Sequence, residues 1–326
     1  MKFLIIQTAF IGDVVLATPM AKALKQLSNS EIHFLVRKGN ESILDNNPFI
    51  DKVWLWEKRN QKLRNLVRLS RQIRKEKFDV VINLQRFASS GYMTWLSGAK
   101  EKIGFSKNPF SFCYSQSFEH TLTNGLHEVN RNLELISNFI SGEFLPQMFP
   151  SDQDWDFVSH FRVKPYVCIA PSSVWTTKQW PSENYSKLIL ELSKTHQIFL
   201  LGAKSDLDLC NKIACIAPEQ TKVLCGLLSF QQSAALMSKA DMNYVNDSAP
   251  LHFASAMNAP VTALFCSTTP NFGFGPLSKK QFIWQSSESL PCKPCGTHGK
   301  KECPMKHFNC GKASDSEIRD LAEWWK

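Results

Sequence analysis

The sequence predicts an α/β protein built from two consecutive Rossmann-like domains that face a central cleft. Short apolar runs alternate with amphipathic segments along the chain, as expected for parallel strands joined by helical crossovers. At 326 residues, the chain exceeds what one hydrophobic core usually serves. The stretch SGEFLPQMFPSDQDW is rich in turn formers and interrupts the alternation. We therefore expect domains at 1–150 and 151–326.

In the first half, four apolar runs predict strands: KFLIIQ, EIHFLVR, VWLW and DVVINLQ. Helices are predicted for ATPMAKALKQL, for HEVNRNLELISNFI and for the basic segment 58–77. In that basic segment Leu63, Leu66, Val67 and Ile73 share one helical face, which predicts an amphipathic crossover helix.

The second half repeats this order, with strands predicted at YVCIAPSS, QIFLLGAKSD, KVLCG, MNYVNDS and VTALFCS. Ser229 and Gln232 have the spacing of a helix capping box. We expect the last helix to pack back on the first domain. In doubly wound sheets ligands bind beyond the carboxyl ends of strands, so the predicted functional loops are 12–13, 172–178, 202–206 and 247–252.

Composition and charge favour a globular protein with an anionic partner. Hydrophobic residues make up 43% and charged residues 21% of the chain, and the formal net charge is +9. Asp13 interrupts the first apolar stretch, which predicts a buried strand rather than a signal peptide. We expect a cytoplasmic protein whose ten cysteines are free thiols or metal ligands rather than disulfides.

The segment YVNDSAPLHFASAM predicts an anion site at a helix N-terminus. Asp247 or Ser248 is expected to cap the helix, Pro250 suits its first turn, and His252 lies in the same turn. Backbone N–H groups there would hold a diphosphate without a metal. A well-capped helix without a ligand is the alternative.

The segment PSSVWTTKQWP offers further phosphate ligands. Ser172 and Ser173 present hydroxyls beyond a strand, and Lys178 supplies a positive charge for a leaving group. A solvated loop lysine is the alternative.

The segment IGDVVLATP places a carboxylate at the start of the first helix. Gly12 permits a tight turn, and Asp13 follows it at the predicted ligand-binding edge. Asp13 is therefore either a general base or a residue that only caps the helix.

Together these segments resemble glycosyltransferase family 9, the heptosyltransferases of the lipopolysaccharide inner core. The resemblance rests on TAFIGDVVLATP, NLQRFASS, HEVNRNLELI, PSSVWTTKQWP, LLGAKSD, CGLLSF, NDSAPLHFASAMNAP and STTPNFGFGP, in this order. It implies a GT-B fold and an inverting, metal-independent transfer from an ADP-sugar, with heptose from ADP-heptose as the expected donor. The motif STTPNFGFGP leans towards the enzyme that adds the second heptose.

The resemblance also implies roles for individual residues. Asp13 corresponds to the catalytic base, and Lys178 with Ser172 and Ser173 to the nucleotide and phosphate contacts. The segment that holds the diphosphate and donor sugar comprises Asp247, Ser248, Ala249 and His252. Asp206 and Leu228 correspond to contacts with the ribose and adenine. Two positions depart from the family pattern, Ala249 for glycine and Asn83 for aspartate.

The expected partners are an ADP-sugar donor, an anionic glycolipid acceptor of the Kdo-lipid A type and the inner face of the inner membrane, with no nucleic acid. The run 58–77 carries nine basic residues and one acid, Glu76. The acceptor contacts are predicted to be Arg64, Arg68, Arg71 and Arg86. A solvated helix face is the alternative.

The C-terminal segment PCKPCGTHGKKECPMKHFNC places four cysteines close together, with His298 and His307 nearby. Cys292, Cys295, Cys303 and Cys310 fit a structural zinc site, and free or reversibly paired thiols are the alternative. No cofactor is expected to be required for catalysis.

Four other functions compete with this interpretation. A nucleotide-sugar epimerase that retains a dinucleotide would need G-x-G-x-x-G after the first strand, where TAFIGD stands. A nucleic-acid-binding protein would use the basic helix and a cysteine knuckle. A catalytically silent relative would lack Asp13 or Lys178, and a family member with another sugar or acceptor would keep both.

Overall fold

The computed structural model describes all 326 residues, and the chain divides into two compact units, Met1–Phe149 and Pro150–Lys326. Each unit contains a six-stranded sheet with helical connections. All neighbouring strands in both sheets run parallel. The predicted α/β class with two Rossmann-like units is confirmed.

The sheet of the N-terminal unit has the order β3-β2-β1-β4-β5-β6. Its strands are β1 (Lys2–Ile6), β2 (Glu31–Arg37), β3 (Lys52–Trp56), β4 (Val80–Asn83), β5 (Glu101–Phe105) and β6 (Gln116–Phe118). Its helices are α1 (Ile11–Leu24), α2 (Lys62–Lys75), α3 (Ala88–Leu96) and α4 (Glu128–Glu134). All four predicted strands are present, and β5 and β6 were missed.

Two helix boundaries differ from the prediction. Helix α1 begins at Ile11, earlier than expected, and includes Pro19. The Asp13 side chain explains this start, because its carboxylate accepts a hydrogen bond from the backbone N–H of the N-cap residue Phe10 at 3.2 Å. Helix α4 ends at Glu134, before the expected Ile140.

The central strand β1 lies in the core of the N-terminal unit, since Phe3, Leu4, Ile5 and Ile6 are all fully buried. Burial on both faces is typical of a parallel sheet covered by helices. Helix α2 adds Leu66, Leu69 and Ile73 to one core cluster. The sequence wrongly assigned Leu63 to this buried face. Its side chain is 74% exposed because the first turn of α2 is not covered by a neighbouring element.

The sheet of the C-terminal unit has the order β12-β11-β10-β7-β8-β9. Its strands are β7 (Tyr166–Ala170), β8 (Gln197–Leu200), β9 (Thr221–Val223), β10 (Met242–Asn246), β11 (Val261–Leu264) and β12 (Gln281–Trp284). Its helices are α5 (Asp152–Ser159), α6 (Ser182–Leu192), α7 (Leu207–Ala214), α8 (Phe230–Ser238), α9 (Ala249–Ala256) and α10 (Asp315–Glu323). All five predicted strands are present, and β12 was missed.

Local details of the C-terminal unit follow from its capping residues. The predicted capping box of Ser229 and Gln232 opens α8. The last helix, α10, packs against α6 of the same unit, and its predicted return to the first domain stays a prediction. None of the helices in either unit combines the length and apolar character needed to cross a bilayer.

Candidate active site

The strand order places three of the four predicted functional loops at the switch points of the two sheets, and loop 202–206 follows the adjacent strand β8. In the C-terminal unit β7 and β10 are neighbours, and their connections leave in opposite directions along the sheet. Loop 171–181 follows β7, and Asp247 follows β10. Ligands of doubly wound sheets bind at this position. The site therefore forms where the chain order of the sheet reverses.

Lys178 and Asp247 form an ion pair at this switch point. The Lys178 Nζ lies 2.6 Å from Asp247 Oδ2, and the two side chains are only 14% and 8% exposed. The Thr268 hydroxyl donates to the same carboxylate oxygen at 2.6 Å. Asp247 therefore fixes the position of the lysine ammonium, and it does not cap α9 as the sequence suggested. Thr268 was missed because β11 separates it from Asp247 in the chain.

Helix α9 begins directly beside this ion pair. Ser248 occupies its N-cap position, but the Ser248 hydroxyl makes no capping bond and instead lies 3.5 Å from the Asn246 carbonyl oxygen. Ala249 and Pro250 are the first two residues of the helix, and His252 follows two residues later with its side chain buried. The first backbone N–H groups of a helix lack intrahelical acceptors and attract anions. Lys178 thus lies where a helix N-terminus already favours negative charge.

Asn246 holds the two loops of this switch point together, a role that the sequence analysis missed. Its Oδ1 accepts hydrogen bonds from the Trp180 backbone N–H at 2.9 Å and the Tyr185 hydroxyl at 3.0 Å. Its Nδ2 donates to the Pro171 carbonyl at 2.8 Å. The side chain is fully buried. A polar residue that ends an otherwise apolar buried strand was the available signal.

Ser172 and Asp206, predicted from separate motifs, come together in the structure. The Ser172 hydroxyl donates to Asp206 Oδ2 at 2.7 Å, and the Ala203 backbone N–H donates to the same oxygen at 2.8 Å. A Cβ atom on Gly202 would lie 2.8 Å from that oxygen, so glycine permits the close approach. A fixed carboxylate of this kind is suited to accept hydrogen bonds from vicinal hydroxyls.

The remaining predicted donor contacts lie in adjoining loops. The Ser173 hydroxyl accepts from the Trp175 backbone N–H at 3.4 Å, and its carbonyl accepts from Gln179 at 2.8 Å. Leu228 is half-buried in the loop after β9. The Gly226 N–H donates to the Gly202 carbonyl at 2.9 Å, which ties the Leu228 loop to the Asp206 loop. The apolar side chain of Leu228 therefore lies in a loop that is hydrogen-bonded to the loop that carries Asp206.

The cysteine-rich segment braces the Lys178 loop. Thr177 is buried, and its backbone N–H donates to the Lys300 carbonyl at 3.1 Å while the Lys300 N–H donates to the Thr177 hydroxyl at 2.8 Å. The Cys295 N–H donates to the Ser267 carbonyl at 2.9 Å. Two stretches of the cysteine-rich segment thus contact the loops that carry Lys178 and Thr268.

This packing predicts that Gly299→Ala destabilises the protein. The added Cβ would lie 2.4 Å from Trp175 Cβ and 2.9 Å from Lys178 Cγ, so the segment must shift. We expect a loss of about 1–3 kcal/mol in the free energy of unfolding, measured by thermal and urea denaturation. Gly275→Ala is the matched control, because its Cβ would meet only Pro270 Cβ at 3.5 Å. Equal stability of the two variants would contradict the close packing of the cysteine-rich segment against the Lys178 loop.

All ten cysteines are free thiols in the structure, and the predicted zinc ligands do not converge. No group of three or more His, Cys, Asp or Glu side chains lies close enough to hold a metal ion. Cys292 Sγ lies 3.9 Å from His307 Nε2. Burial raises the pKa of the Cys310 thiol to about 11. The arrangement shown is that of separate thiols, so zinc stays a prediction.

In the N-terminal unit, Asp13 and Arg86 follow the neighbouring strands β1 and β4, where the chain order of that sheet reverses. Asp13 is partly exposed in the first turn of α1, where it accepts the Phe10 backbone N–H, and its role as a general base stays a prediction. Arg86 is exposed before α3. Asn83 is fully buried and donates to the Tyr114 hydroxyl at 2.9 Å, which gives it a structural role.

Three of the four predicted acceptor arginines lie along the outer face of α2. Arg64, Arg68 and Arg71 are exposed and line a surface groove of about 880 Å³. Lys58, from the same basic run, is instead half-buried, and its Nζ donates to the Thr8 carbonyl at 2.7 Å. Burial, with Arg37 and Lys62 nearby, lowers the pKa of Lys58 to about 8. Lys58 therefore places a positive charge next to the loop that follows β1, a position that the sequence did not predict.

The sequence profile of Glycosyltransferase family 9 (heptosyltransferase) matches residues 66–308, well over half of the chain. The chain belongs to glycosyltransferase family 9. It is 26% identical over 330 aligned positions to lipooligosaccharide heptosyltransferase 2 of Campylobacter jejuni, covering 96% of this chain and 94% of that protein. It is 28% identical over 279 positions to lipopolysaccharide heptosyltransferase 3 of Escherichia coli, covering 79% and 82%.

The fold of a solved heptosyltransferase agrees with this assignment. The structure of Escherichia coli ADP-heptose lipopolysaccharide heptosyltransferase II superimposes with a TM-score of 0.78 at 19% identity, covering 90% of this chain and 96% of that one. The predicted GT-B class of fold is confirmed, and so is the family. The family 9 assignment also confirms the prediction of a glycosyltransferase over the epimerase and nucleic-acid-binding alternatives.

Proposed function

We propose that this family 9 glycosyltransferase transfers heptose from ADP-heptose to the inner core of lipopolysaccharide, with inversion at the anomeric carbon. The observation that carries the proposal is the buried ion pair of Lys178 and Asp247 at the N-terminus of α9. It provides a fixed positive charge at a sheet switch point, as a departing nucleoside diphosphate requires. The names of the relatives support heptose as the sugar and lipopolysaccharide or lipooligosaccharide as the acceptor.

The C-terminal unit supplies the donor contacts in this proposal. Lys178 and the first amides of α9, next to Ser248 and Ala249, stabilise the charge that develops on the diphosphate as the glycosidic bond breaks. Asp206, held by Ser172, accepts hydrogen bonds from the ribose hydroxyls, and Leu228 offers an apolar contact for the adenine. A lysine and helix amides supply the positive charge that other glycosyltransferases take from a metal ion.

The N-terminal unit supplies the base and the acceptor contacts. Asp13 accepts the proton of the acceptor hydroxyl as that oxygen attacks the anomeric carbon from the face opposite the leaving ADP. Arg64, Arg68, Arg71 and Arg86 bind the phosphates and acidic sugars of a Kdo-lipid A type acceptor. Because this acceptor is a membrane glycolipid, we place the enzyme at the cytoplasmic face of the inner membrane.

A product assay tests the proposal directly. The protein is incubated with ADP-heptose and core acceptors truncated before the first, second and later heptoses, and each product is identified by its mass. We expect one acceptor to gain a single heptose and ADP to be released in equal amount. Transfer of a hexose from another nucleotide-sugar, with none from ADP-heptose, would instead support the alternative donor.

The zinc site is a separate proposal that does not affect the transfer chemistry. We propose that Cys292, Cys295, Cys303 and Cys310 close around one Zn²⁺ after a small rearrangement of their loop. Metal analysis of protein purified without chelators or affinity-tag metals is expected to find one zinc per chain, and Cys303→Ser to lose it. Cys215→Ser is the control, because this exposed thiol lies outside the segment. Wild-type protein that contains no zinc and has normal stability would reject the zinc site and support the alternative of free thiols.

A further inference from the structure

The N-terminal unit exposes a connected set of aromatic rings that the proposed chemistry does not use. This aromatic cluster consists of Tyr92, Trp95, Phe110 and Phe112. Ring centroids are 6.2 Å apart for Tyr92 and Trp95, 6.0 Å for Trp95 and Phe110, and 5.8 Å for Phe110 and Phe112. Phe112 is 76% and Trp95 47% exposed. Contiguous apolar exposure of this kind marks an interaction surface.

The aromatic cluster is held by a well-packed scaffold. Helix α3 buries Met93 completely. Asn108 accepts from the Phe110 backbone N–H at 2.9 Å and donates to the Phe87 carbonyl at 3.1 Å, which fixes the turn after β5 against the start of α3. A Cβ on Gly91 would lie 2.8 Å from Phe110 Cβ, so the helix and the turn fit closely. The rings are exposed although the backbone that carries them is fixed.

Basic residues lie on the elements next to the aromatic cluster. Helix α2 packs against α3 and carries six basic residues and no acidic residue between its ends. At the C-terminal end of α3, the position of a Cβ on Gly98 lies 3.6 Å from Arg74 Cγ. Lys107 is exposed in the turn that precedes Phe110, and Leu63 adds a further exposed apolar side chain on α2. The surface thus combines apolar rings with a dense positive field.

We propose that the aromatic cluster and the outer face of α2 form one docking surface for an anionic lipid bilayer. Aromatic rings prefer the headgroup level of a bilayer, and each nearby lysine or arginine adds attraction to anionic lipid. A second copy of the chain is disfavoured as the occupant, because two such positive surfaces repel one another. The proposal goes beyond the transfer reaction, and it rests on the proposed function only in that the acceptor is a lipid.

Flotation of the full-length protein with vesicles tests this surface without donor or acceptor. We expect binding to vesicles of phosphatidylethanolamine and phosphatidylglycerol and little binding to phosphatidylcholine vesicles. The double variant Trp95→Ala/Phe112→Ser is expected to lower the partition coefficient by about tenfold through lost ring insertion. Arg64→Glu/Arg68→Glu is expected to lower it by at least about 25-fold, since each of the two lost positive charges near anionic lipid contributes about fivefold. Both variants replace exposed side chains, and thermal melting verifies their folding.

A matched control and a second readout make the result specific. Phe157→Ser removes a 45% exposed phenylalanine of the C-terminal unit and should leave binding unchanged. Lipids brominated on their upper acyl carbons should quench wild-type tryptophan fluorescence more strongly than that of Trp95→Phe, which still binds. Equal vesicle binding by Trp95→Ala/Phe112→Ser and wild type would overturn the proposal. Loss of single-stranded RNA binding in that variant, with vesicle binding retained, would do the same.

The outcomes also separate this surface from the catalytic proposal. With a deacylated, water-soluble acceptor, Trp95→Ala/Phe112→Ser should transfer sugar at the wild-type rate, and only transfer to acceptor in vesicles should fall. Failure of wild-type protein to use ADP-heptose, with cluster-dependent vesicle binding intact, would reject the proposed reaction and retain the docking surface. Normal transfer from ADP-heptose, together with vesicle binding that does not depend on the aromatic cluster, would reject the docking surface and retain the proposed reaction.

Discussion

Replacing Asp13 by asparagine is expected to lower the turnover number by roughly a hundred- to ten-thousandfold, the range for removal of a general base. The amide keeps an oxygen that accepts from the Phe10 backbone N–H, so the capping bond of α1 is preserved. It cannot accept the proton of the acceptor hydroxyl. The dissociation constant for ADP-heptose, measured by calorimetry, should stay within about twofold, because the assigned donor contacts belong to the C-terminal unit.

A second aspartate in this chain provides the control for Asp13. Asp154 occupies the same position in the capping box of α5, where it accepts from the Ser151 backbone N–H at 2.9 Å. Asp154→Asn should therefore reproduce any effect on helix capping and leave turnover unchanged. Asp13→Ala, which also removes the capping acceptor, should lose about 0.5–2 kcal/mol of stability in addition to its activity. Similar turnover in Asp13→Asn and Asp154→Asn would leave Asp13 with the capping role alone.

Lys178→Met is expected to reduce turnover by roughly a hundred- to a thousandfold, as for loss of one preorganised group that stabilises a developing anion. It also leaves the Asp247 carboxylate buried without its counter-charge, with only the Thr268 hydroxyl still bound to it. Breaking a buried ion pair in this way costs about 3–5 kcal/mol. Steady-state kinetics and urea denaturation should both detect the change.

A double variant separates the catalytic role of Lys178 from its structural role. Lys178→Met/Asp247→Asn removes both charges, so most of the lost stability should return. Turnover should stay low, because the charge that stabilises the departing ADP is still absent. Lys178→Arg should retain more activity than Lys178→Met, since it keeps the charge with a different geometry. Recovery of turnover together with stability in the double variant would show that Lys178 serves only the fold.

Several elements of the fold were predictable because their signals are local. Strands β1, β2 and β10 are short, mainly apolar runs in the sequence, and Gly, Ser or Asp follows each of them within a few residues. Strands β6 and β12 were missed because both are short edge strands with exposed positions: β6 has no continuous apolar run, and the apolar run of β12 is only three residues, Phe282–Trp284. Leu63 was misassigned because helical periodicity shows which residues share a face of the helix. It does not show which part of that face is covered by the rest of the protein.

The sequence alone determined the α/β class, the two-part organisation and the loops that carry the candidate chemistry, since periodicity and turn composition are properties of neighbouring residues. Only the tertiary structure decided which of these loops meet. Lys178 pairs with Asp247, Ser172 with Asp206 and Thr177 with Lys300 across long chain separations. Such pairs depend on the order of strands in the sheet, because parallel neighbours bring their carboxyl ends to one edge regardless of their distance in the sequence.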